Sequence, residues 1–593
     1  MKHLLLTLTL LTSFFASAQI VNIPDANFKN ALLNHNPVID TNGDGEIQVN
    51  EAMATFEIDV TARGVQSISG IEAFVNLHTL VCYFNQITAV DLSNNILLRN
   101  LDLSSNRLTN IDLSNNLFLL DLSLTDNEFT TLDISFLTEL DHIACAYNEL
   151  TTLDVTNNNA LTSIQVYNNM IAELDISNQP DLRQLGIDNN QFTTIDLSQS
   201  PNLLWFDCSD NNISNLDFSS NPILFDIKCS NNLLSSLDVT NNPNLGYLTC
   251  EGNAISSLDV TQNPEIKFLL CEDNLLTSLD VSQNLNMELF HFSNNQISEI
   301  DVTNNIKLRQ FMGSNNPVSS IDFTNNPDLL VIRCDNMNLT SLDLSQNPLI
   351  YFIVLDNNHL TELDINNNPL IEQLYLRNNN ITAIDLSQKE DLRRLAVNQN
   401  PLNLLDVTEN PNLEGIDFSN TNLYAMDLSQ NPQLCAVEGN DIHRLHHVNI
   451  KNGNNIELTN PNCYNGEQID SGLNLANNQN LLYVCVDNVN FAEANFTNVS
   501  PTATFIEDCA LGVNNFKQTS IHLYPNPAHT ILKIQAGSSI SSIEIVSLLG
   551  QTLLTSKGNS NREQIDISRL AAGNYFVQVI AGGERQVLRI IKK

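Results

Sequence analysis

Residues 236–248 read SLDVTNNPNLGYL, and close variants of this stretch return along most of the chain. An aspartate at the position of Asp238 recurs every 21 residues from Asp91 to Asp427, seventeen times without a slip. A constant period of this size is typical of solenoids, in which each repeat forms one coil and stacks on the next. We therefore predict that most of the 593-residue chain is a single repeat array.

Each copy carries the same internal pattern, as in LRNLDLSSNRLTNIDLS over residues 98–114. The residue eleven places before the aspartate is apolar in all seventeen copies. Asn lies six places before it in fifteen copies, with Met337 and Thr421 as the exceptions. The pattern resembles the leucine-rich-repeat family, of the short bacterial internalin-like kind, over residues 76–435. The resemblance implies a solenoid with parallel β-strands on its concave face and a mostly irregular convex side.

Strand alternation assigns a direction to each position of the repeat. Residues eleven and nine places before the aspartate are expected to point into the core, and those twelve, ten and eight places before it to face outward. The Asn can bond backbone groups of neighbouring turns, since buried N–H and C=O groups must be paired. Coils stacked at about 4.8 Å would give a slab roughly 80 Å long.

The outward positions include aromatic and charged residues on successive coils: Trp205, Asp207, Asp226, Lys228, Tyr247, Glu251, Phe268 and Glu272. Their three rings are predicted to form a platform roughly 15 Å long bordered by carboxylates. Such a surface suits sugar faces or basic, aromatic-rich peptides. A rival group for an anionic ligand comprises Arg333, Tyr375, Arg377 and Arg394.

The repeated aspartate is followed two residues later by Ser or Thr in sixteen of seventeen copies. This spacing lets the carboxylate accept a hydrogen bond from a nearby N–H or hydroxyl, which predicts a structural role. A ladder of bound cations is the functional alternative. No second carboxylate recurs in the repeat to complete an oxygen cage, which disfavours that alternative.

Seven of the eleven cysteines share the inward position nine places before the aspartate: Cys82, Cys145, Cys208, Cys229, Cys250, Cys271 and Cys334. They are predicted to be buried small hydrophobes, because a row on parallel strands offers no tetrahedral metal cage. The other four are Cys435, Cys463, Cys485 and Cys509. A Cys485–Cys509 disulfide closing the end of the solenoid is favoured, with the other pairings open.

Residues 1–18 have the layout of a secretory signal peptide, with Lys2, an apolar run and Ala16-Ser17-Ala18, so we expect the mature chain to begin at Gln19. No later apolar run approaches the roughly 18 residues needed to cross a bilayer, so no transmembrane segment is expected. The net charge of −41 makes nucleic acid and anionic membranes unfavourable partners.

Residues 19–75 are predicted to form an N-terminal cap over the first coil. Within it, DTNGDGEIQVNE over 40–51 satisfies the twelve-residue EF-hand loop. We predict one structural Ca²⁺ there, held by Asp40, Asn42, Asp44, Glu46 and Glu51. A turn without an ion is the alternative. A short amphipathic helix before the loop is expected to bury Phe28, Leu32 and Leu33.

After a C-terminal cap region, 436–511, the composition changes to short alternating strands, predicting a small all-β, immunoglobulin-like sandwich. Residues 519–593 resemble the C-terminal sorting domain of type IX secretion in Bacteroidota. The matching residues are Tyr524, Pro525, Asn526, Pro527, Gly550, Gly573, Tyr575 and the basic end Lys592-Lys593. The resemblance implies contact with the type IX secretion machinery and a secreted or cell-surface location.

The sequence contains no nucleophile elbow, phosphate loop or zinc-protease helix motif, so no enzymatic activity is expected. We predict a binding or adhesion protein that recognises a protein or glycan on its concave face. A structural surface-layer component without a specific ligand is the alternative. A repeat scaffold does not name its ligand.

Overall fold

The computed structural model describes residues 19–460, 463, 469–509, 521–524, 528–536, 538–547 and 551–593. The predicted signal peptide, Gly550 and the Pro525-Asn526-Pro527 stretch lie outside the described residues. The chain divides into two compact units. The first comprises the residues up to 446 with 452–480 and 496–502, and the second comprises 447–451, 481–495 and 503–593.

The first unit is built on one parallel sheet, in which twenty strands of the described residues pair in register. The strands are Glu57–Asp59, Thr79–Val81, Asn100–Asp102, Asp121–Ser123, His142–Ala144, Ser163–Gln165, Gln184–Gly186, Trp205–Asp207, Asp226–Lys228, Tyr247–Thr249, Phe268–Leu270, Leu289–His291, Gln310–Met312, Val331–Arg333, Phe352–Val354, Gln373–Tyr375, Arg394–Ala396, Gly415–Asp417, Ala436–Glu438 and Gly472–Asn474.

Seventeen of these strands belong to the predicted copies within 76–435, and three extend the sheet beyond those limits. The extra strands keep the inward apolar residue, as Ile58, Val437 and Leu473 are buried. They escape the sequence pattern because the repeated aspartate is absent, and because the 21-residue spacing breaks between Ala436 and Gly472. The sheet thus depends on inward packing and not on the aspartate.

The core is the stack of inward columns. Phe206, Ile227, Leu248 and Leu269, eleven places before successive aspartates, are fully buried. Large and small residues compensate each other across coils. The ring of Phe292 occupies the space beside Gly313, where any Cβ would overlap it.

The Asn six places before the aspartate bridges two coils, as Asn232 illustrates. Its Nδ2 donates to the carbonyl of Cys208 on the preceding coil at 2.9 Å, and to those of Cys229 and Ser230 on its own coil at 3.3 and 3.1 Å. Its Oδ1 accepts from the N–H of Ile213 at 2.9 Å. This confirms the predicted pairing of turn backbone groups by the Asn column.

A second amide column, four places after the aspartate, is not part of the sequence prediction. It holds Asn in thirteen of seventeen copies. Asn242 is fully buried, and its Nδ2 donates to the carbonyls of Phe218 at 3.2 Å and Asn221 at 2.9 Å on the preceding coil. Two buried amide columns therefore tie each coil to its neighbour.

The residue before the first Asn column adopts left-handed backbone in every predicted copy, with φ from 49° to 66°. Asn, Asp and Gly tolerate this region best, and they dominate the position. Phe84 and Tyr147 are the aromatic exceptions. The tight turn after each concave strand thus accounts for the Asn-Asn and Asp-Asn pairs of the repeat.

The N-terminal cap contains the α-helices Ala26–Leu33 and Val49–Met53 and the 3₁₀-helix Ile71–Ala73. Asp25 caps the first helix by accepting from the N–H groups of Asn27 and Phe28. Its other oxygen accepts from the N–H groups of Gln66 and Ser67, which ties the helix to the first coil. Phe28 and Leu32 are fully buried as predicted, whereas Leu33 is partly exposed because it lies off the buried face.

The first unit also has the strand pair Leu237–Asp238 and Leu258–Asp259, the strand Ala425–Asp427 and the 3₁₀-helix Asn455–Thr459. A disulfide joins Cys435 to Cys463. In the second unit, His447–Asn449, Tyr483–Cys485 and Thr504–Ile506 form a parallel sheet beside the helix Val489–Asn495. The predicted disulfide, Cys485–Cys509, is present in this unit.

The C-terminal part of the second unit is an all-β sandwich. One antiparallel sheet contains His522–Tyr524, Ile531–Gln535 and Arg562–Asp566. The other contains Ile540–Val546, Thr552–Lys557, Gly573–Ala581 and Glu584–Lys592. Apolar residues of both sheets, such as Leu532 and Val577, share one core.

We predict that Asn232→Ala will destabilise the solenoid by about 3 kcal/mol, because it leaves several buried backbone groups without a partner. Chemical denaturation followed by circular dichroism measures the change. Asn244→Ala is the control, since Asn244 is exposed and lies outside both amide columns. Equal stability of the two variants would contradict the bridging role.

Candidate functional site

The concave surface displays only the outward columns of the sheet. The strands pair without shift, so residues at the same repeat position lie side by side about 4.8 Å apart. Trp205, Asp226, Tyr247 and Phe268 are thereby placed on four adjacent strands. We call the predicted group Trp205, Asp207, Asp226, Lys228, Tyr247, Glu251, Phe268 and Glu272 the concave patch.

The aromatic rings of the concave patch do not form one flat platform. Tyr247 and Phe268 meet edge to face with centroids 4.8 Å apart. Phe225, which the sequence prediction omitted, packs edge to face on Tyr247 at 5.1 Å and is 44% exposed. It lies one residue before the strand Asp226–Lys228, so the alternation of inward and outward strand positions does not predict its exposure. Trp205 stands apart, since Asp226 lies between it and Tyr247.

Trp205 instead interacts with charged neighbours. The ammonium of Lys228 lies 5.7 Å from the indole centroid and 3.9 Å from Oδ2 of Asp207. Gly186 on the preceding strand leaves room for both of its neighbours, since a Cβ there would overlap Oε1 of Gln165 and would lie 3.3 Å from the indole. A small residue on one coil thus makes space for the large ring on the next.

The carboxylates of the concave patch lie in a partly desolvated environment. Burial, together with Glu272, raises the pKa of Glu251. Burial also raises the pKa of Asp226, against the opposing effect of Lys228. His291 Nδ1 lies 3.3 Å from Oε1 of Glu272. The site therefore holds several carboxylates that are poorly compensated by cations.

Asp188 and His291 belong to this region but were missed by the sequence prediction. Burial, and next the charge of Asp207, raise the pKa of Asp188 to about 6. Both residues occupy outward columns, eight and ten places before an aspartate. They lie on the coil before that of Trp205 and on the coil after that of Phe268, so the same column rule applied to one more coil at each end finds them.

The rival cationic group is already engaged within the protein. Tyr375 and Arg394 are 2% and 3% exposed, and Arg394 Nη2 lies 3.0 Å from Oε2 of Glu414. Arg377 pairs with Asp356 at 3.0 Å, and the Arg333 guanidinium lies 5.0 Å from the centroid of the Phe352 ring. The two ion pairs compensate the charges of Arg377 and Arg394 that an anionic ligand would use, and this favours the concave patch.

The repeated aspartates cap their own turns. In all seventeen copies Oδ1 accepts from the N–H two residues later, as Asp238 does from Thr240 at 3.0 Å. The Thr240 hydroxyl and then its N–H lower the pKa of Asp238. This geometry supports the structural interpretation of the column.

The predicted calcium loop contains the right oxygens in a hydrogen-bonded arrangement. Nε2 of Gln48 donates to both carboxylate oxygens of Asp44 at 3.0 and 2.9 Å and to the carbonyl of Glu46 at 3.4 Å. Asp40 accepts from the N–H groups of Gly43 and Gly45. Oδ1 of Asn42 accepts from the N–H of Asp44.

Glu51, the last residue of the loop, is 4% exposed. Its carboxylate accepts from the N–H groups of Thr41, Asn42 and Gln48. The Asp44 carboxylate and the Glu46 carbonyl thus both accept from the Gln48 side-chain amide, while the Glu51 carboxylate holds the two ends of the loop together through backbone N–H groups. Across the described parts of the chain, no group of three or more His, Cys, Asp or Glu residues is arranged to hold a metal ion.

The seven cysteines of the inward column are buried and unpaired. Burial raises the pKa of Cys145 and of Cys250 to about 12. They are therefore unreactive thiols at neutral pH, in keeping with their predicted role as core residues.

The residues predicted for sorting have ordinary structural roles in the sandwich. Tyr524 is exposed at the end of its strand. Tyr575 is largely buried, and its hydroxyl donates to the carbonyl of Ala571 at 2.9 Å. Gly573 begins the long strand that pairs with the C-terminal strand, where it faces Lys592. No helix in the described residues has the length and apolar character needed to cross a bilayer.

Comparisons with known proteins agree with both halves of this description. Residues 522–593 match the family described as the secretion system C-terminal sorting domain. A comparison with curated proteins returned no match. The sorting domain indicates export by the type IX secretion machinery to the cell surface or the medium.

Among solved structures, the chain is similar to the functional domain of InlJ from Listeria monocytogenes, which includes a cysteine ladder. The two share 29% identity over 65% of this chain and 83% of that chain, with a TM-score of 0.53. A TDR receptor shares 17% identity with the chain, over 77% of this chain and 94% of the receptor chain, with a TM-score of 0.56. The internalin InlF from L. monocytogenes shares 20% identity, over 64% of this chain and 98% of the InlF chain, with a TM-score of 0.43. The first unit has the internalin-like leucine-rich-repeat solenoid fold, and residues 522–593 are a secretion system C-terminal sorting domain.

Proposed function

We propose that the exported solenoid is a non-catalytic binding or adhesion protein that recognises a protein or glycan through its concave patch. The observation that carries the proposal is the clustering of Trp205, Tyr247 and Phe268 with carboxylates on adjacent strands. Aromatic residues at the centre of a patch supply contact area at low entropic cost, and polar groups around them supply specificity.

A structural surface-layer component remains the alternative. A solenoid that serves only as a spacer has no need to gather partly exposed rings on a few coils. Here Phe225, Tyr247 and Phe268 form a continuous edge-to-face group, and Trp205 lies two strands from Tyr247 in the same outward column. Scattered singly, exposed apolar residues would need no explanation, but this grouping favours a binding surface.

We further propose that the loop 40–51 binds one Ca²⁺, with Asp40, Asn42, Asp44 and Glu51 as side-chain ligands and Glu46 contributing its carbonyl. Convergence of the Asp44 carboxylate and the Glu46 carbonyl on the Gln48 amide supports this, because hard cations take the same oxygens. A bound ion would stabilise the cap over the first coil. Asp44 and Gln48 would exchange their hydrogen bond for ligation.

We predict that Trp205→Ala combined with Tyr247→Ala will weaken ligand binding by about 2 kcal/mol or more without unfolding the solenoid. The ligand is first identified on protein and glycan arrays, and affinity is then measured by calorimetry. Phe118→Ala with Tyr351→Ala is the control pair, since both rings are exposed outside the concave patch. Unchanged affinity in the first double variant would place the binding site elsewhere.

We predict that calorimetry will detect one Ca²⁺ with a Kd on the order of 10⁻⁴ to 10⁻³ M, as in extracellular modules. Asp44→Asn should weaken it at least tenfold, because it removes a charged ligand. Glu57→Gln is the matched control, an exposed carboxylate outside the loop. Glu51→Gln is less informative, since Glu51 also holds the loop backbone. Equal heats from wild type, Asp44→Asn and Glu57→Gln would leave only a hydrogen-bonded turn.

We predict that Asp188→Asn will stabilise the protein at pH 7.5 and that the gain will shrink towards pH 4.5. The folded-state pKa of Asp188 is about 6, above the ordinary value of 3.8. Between pH 3.8 and about pH 6, folding is therefore coupled to uptake of a proton by this carboxylate. Stability therefore falls as pH rises through this window. Denaturation midpoints across pH measure the effect, with the exposed Glu173→Gln as control. If the denaturation midpoint of Asp188→Asn equals that of the wild type at every pH, the buried environment assigned to Asp188 is contradicted.

A further inference from the structure

Five successive coils each place one carboxylate on the outward columns of the concave surface: Asp188, Asp207, Asp226, Glu251 and Glu272. We call this row the acidic strip. It spans four coil spacings, roughly 19 Å. On the outward columns of these five coils, Lys228 is the one Lys or Arg. Like charges at such spacing on a partly buried surface repel one another, which leaves the strip electrostatically unsatisfied.

The strip also contains polar atoms that find no hydrogen-bond partner among the described residues. Ser230 is 5% exposed and its hydroxyl is unpartnered. It lies in the same outward column as Glu251 and Glu272. Oδ1 of Asp226 and Oε2 of Glu272 are likewise shielded from solvent and unpartnered. Buried polar groups are normally paired, so this surface calls for donors from a binding partner.

Lys228 shows how a cation sits in this environment. Its ammonium lies over the Trp205 ring at 5.7 Å and 3.9 Å from an Asp207 oxygen. The Lys228 ammonium thus interacts with one carboxylate and one aromatic face at the same time. Asp226 lies beside Tyr247 on the neighbouring strand, and Tyr247 belongs to the edge-to-face group Phe225, Tyr247 and Phe268, so a further cation next to an apolar residue would meet the same combination there.

An extended peptide laid across the strands matches this spacing. Residues i and i+4 of an extended chain lie about 13 Å apart on one face, and three coil spacings, as between Asp207 and Glu272, amount to roughly 14 Å. Residue i+2 faces the same side, over the two middle coils of that span, which carry the edge-to-face rings of Phe225 and Tyr247. A neutral sugar would supply hydroxyl donors but would leave the like charges of the strip uncompensated.

We infer that the ligand of the concave patch is an extended peptide segment with the pattern cation, any residue, apolar residue, any residue, cation. This inference rests on the proposed binding function and narrows the ligand to one class. Lys or Arg side chains at the two ends would pair with the acidic strip, and the central side chain would pack on Phe225 and Tyr247. The peptide backbone and the cations would supply the missing donors.

The test uses the full exported chain on an array of peptides with Lys or Arg at positions one and five and Phe, Leu or Trp at position three. A second array carries the same peptides with acetyl-lysine or citrulline in place of the cations, which keeps length and removes charge. Binding is measured in about 0.15 M salt, where long-range attraction to a net-acidic protein is largely screened. We expect binding to the first array and at least tenfold weaker binding to the second.

Glu251→Gln combined with Glu272→Gln should weaken the bound peptides at least tenfold. The matched control, Glu173→Gln with Glu299→Gln, removes the same charge from exposed positions off the concave columns and should bind as wild type. Equal losses in both variants would reveal attraction to net charge alone and overturn the inference. An array without binding peptides would overturn it too. A glycan that binds through Trp205 would then preserve the proposed function while excluding this ligand class.

Discussion

The tight turn after each concave strand leaves backbone carbonyls and N–H groups that the coil cannot pair by itself, and buried side-chain amides satisfy them. Asn232 does this for two coils at once, and the Asn242 amide donates in the same way to two carbonyls of the preceding coil. Because each amide bonds the preceding coil, its contribution is an interface between neighbours, as expected of a one-dimensional array. Regular stacking of the coils follows from these bonds together with the inward apolar columns.

This regularity determines what the surface can do. When every coil has the same backbone, differences along the concave face come only from the side chains in three outward columns. Towards the C-terminal end of the array those columns hold the apolar cluster of Val354, Tyr375 and Ala396, with Phe352 packed against it. From Asp188 to His291 they gather carboxylates, rings and a single Lys228, and burial of the carboxylates raises the pKa values of Asp188, Asp226 and Glu251. The sorting domain delivers this surface to the outside of the cell.

Much of this could be predicted from the sequence, because the 21-residue period reports the fold directly. The inward column, the first Asn column, the aspartate cap and the Cys485–Cys509 pair all follow from residue type and phase. The three extra strands could not be found, since they lack the aspartate and one follows a break in the period. The second Asn column is visible in the sequence but is not part of the prediction.

The candidate site was predicted less completely than the fold. Its columns were right, but Phe225 lies before the strand and escapes alternation, and the edge-to-face contacts of Tyr247 depend on rotamers that no pattern encodes. Burial of the rival Arg394 also depends on packing, because its column position alone indicates exposure. The position of a residue within the repeat predicts whether its side chain points inward or outward, but it does not predict which side chains surround it.

Amide hydrogen exchange tests the central claim, that buried amides close the coils. The N–H groups of Ile213, Ile255 and Leu276 lie outside the concave strands, and each donates to the Oδ1 of an Asn on the following coil. We predict that they exchange as slowly as the N–H groups of the concave strands in the same coils. Exchange at the rate of exposed loops, with only the strands protected, would contradict the account.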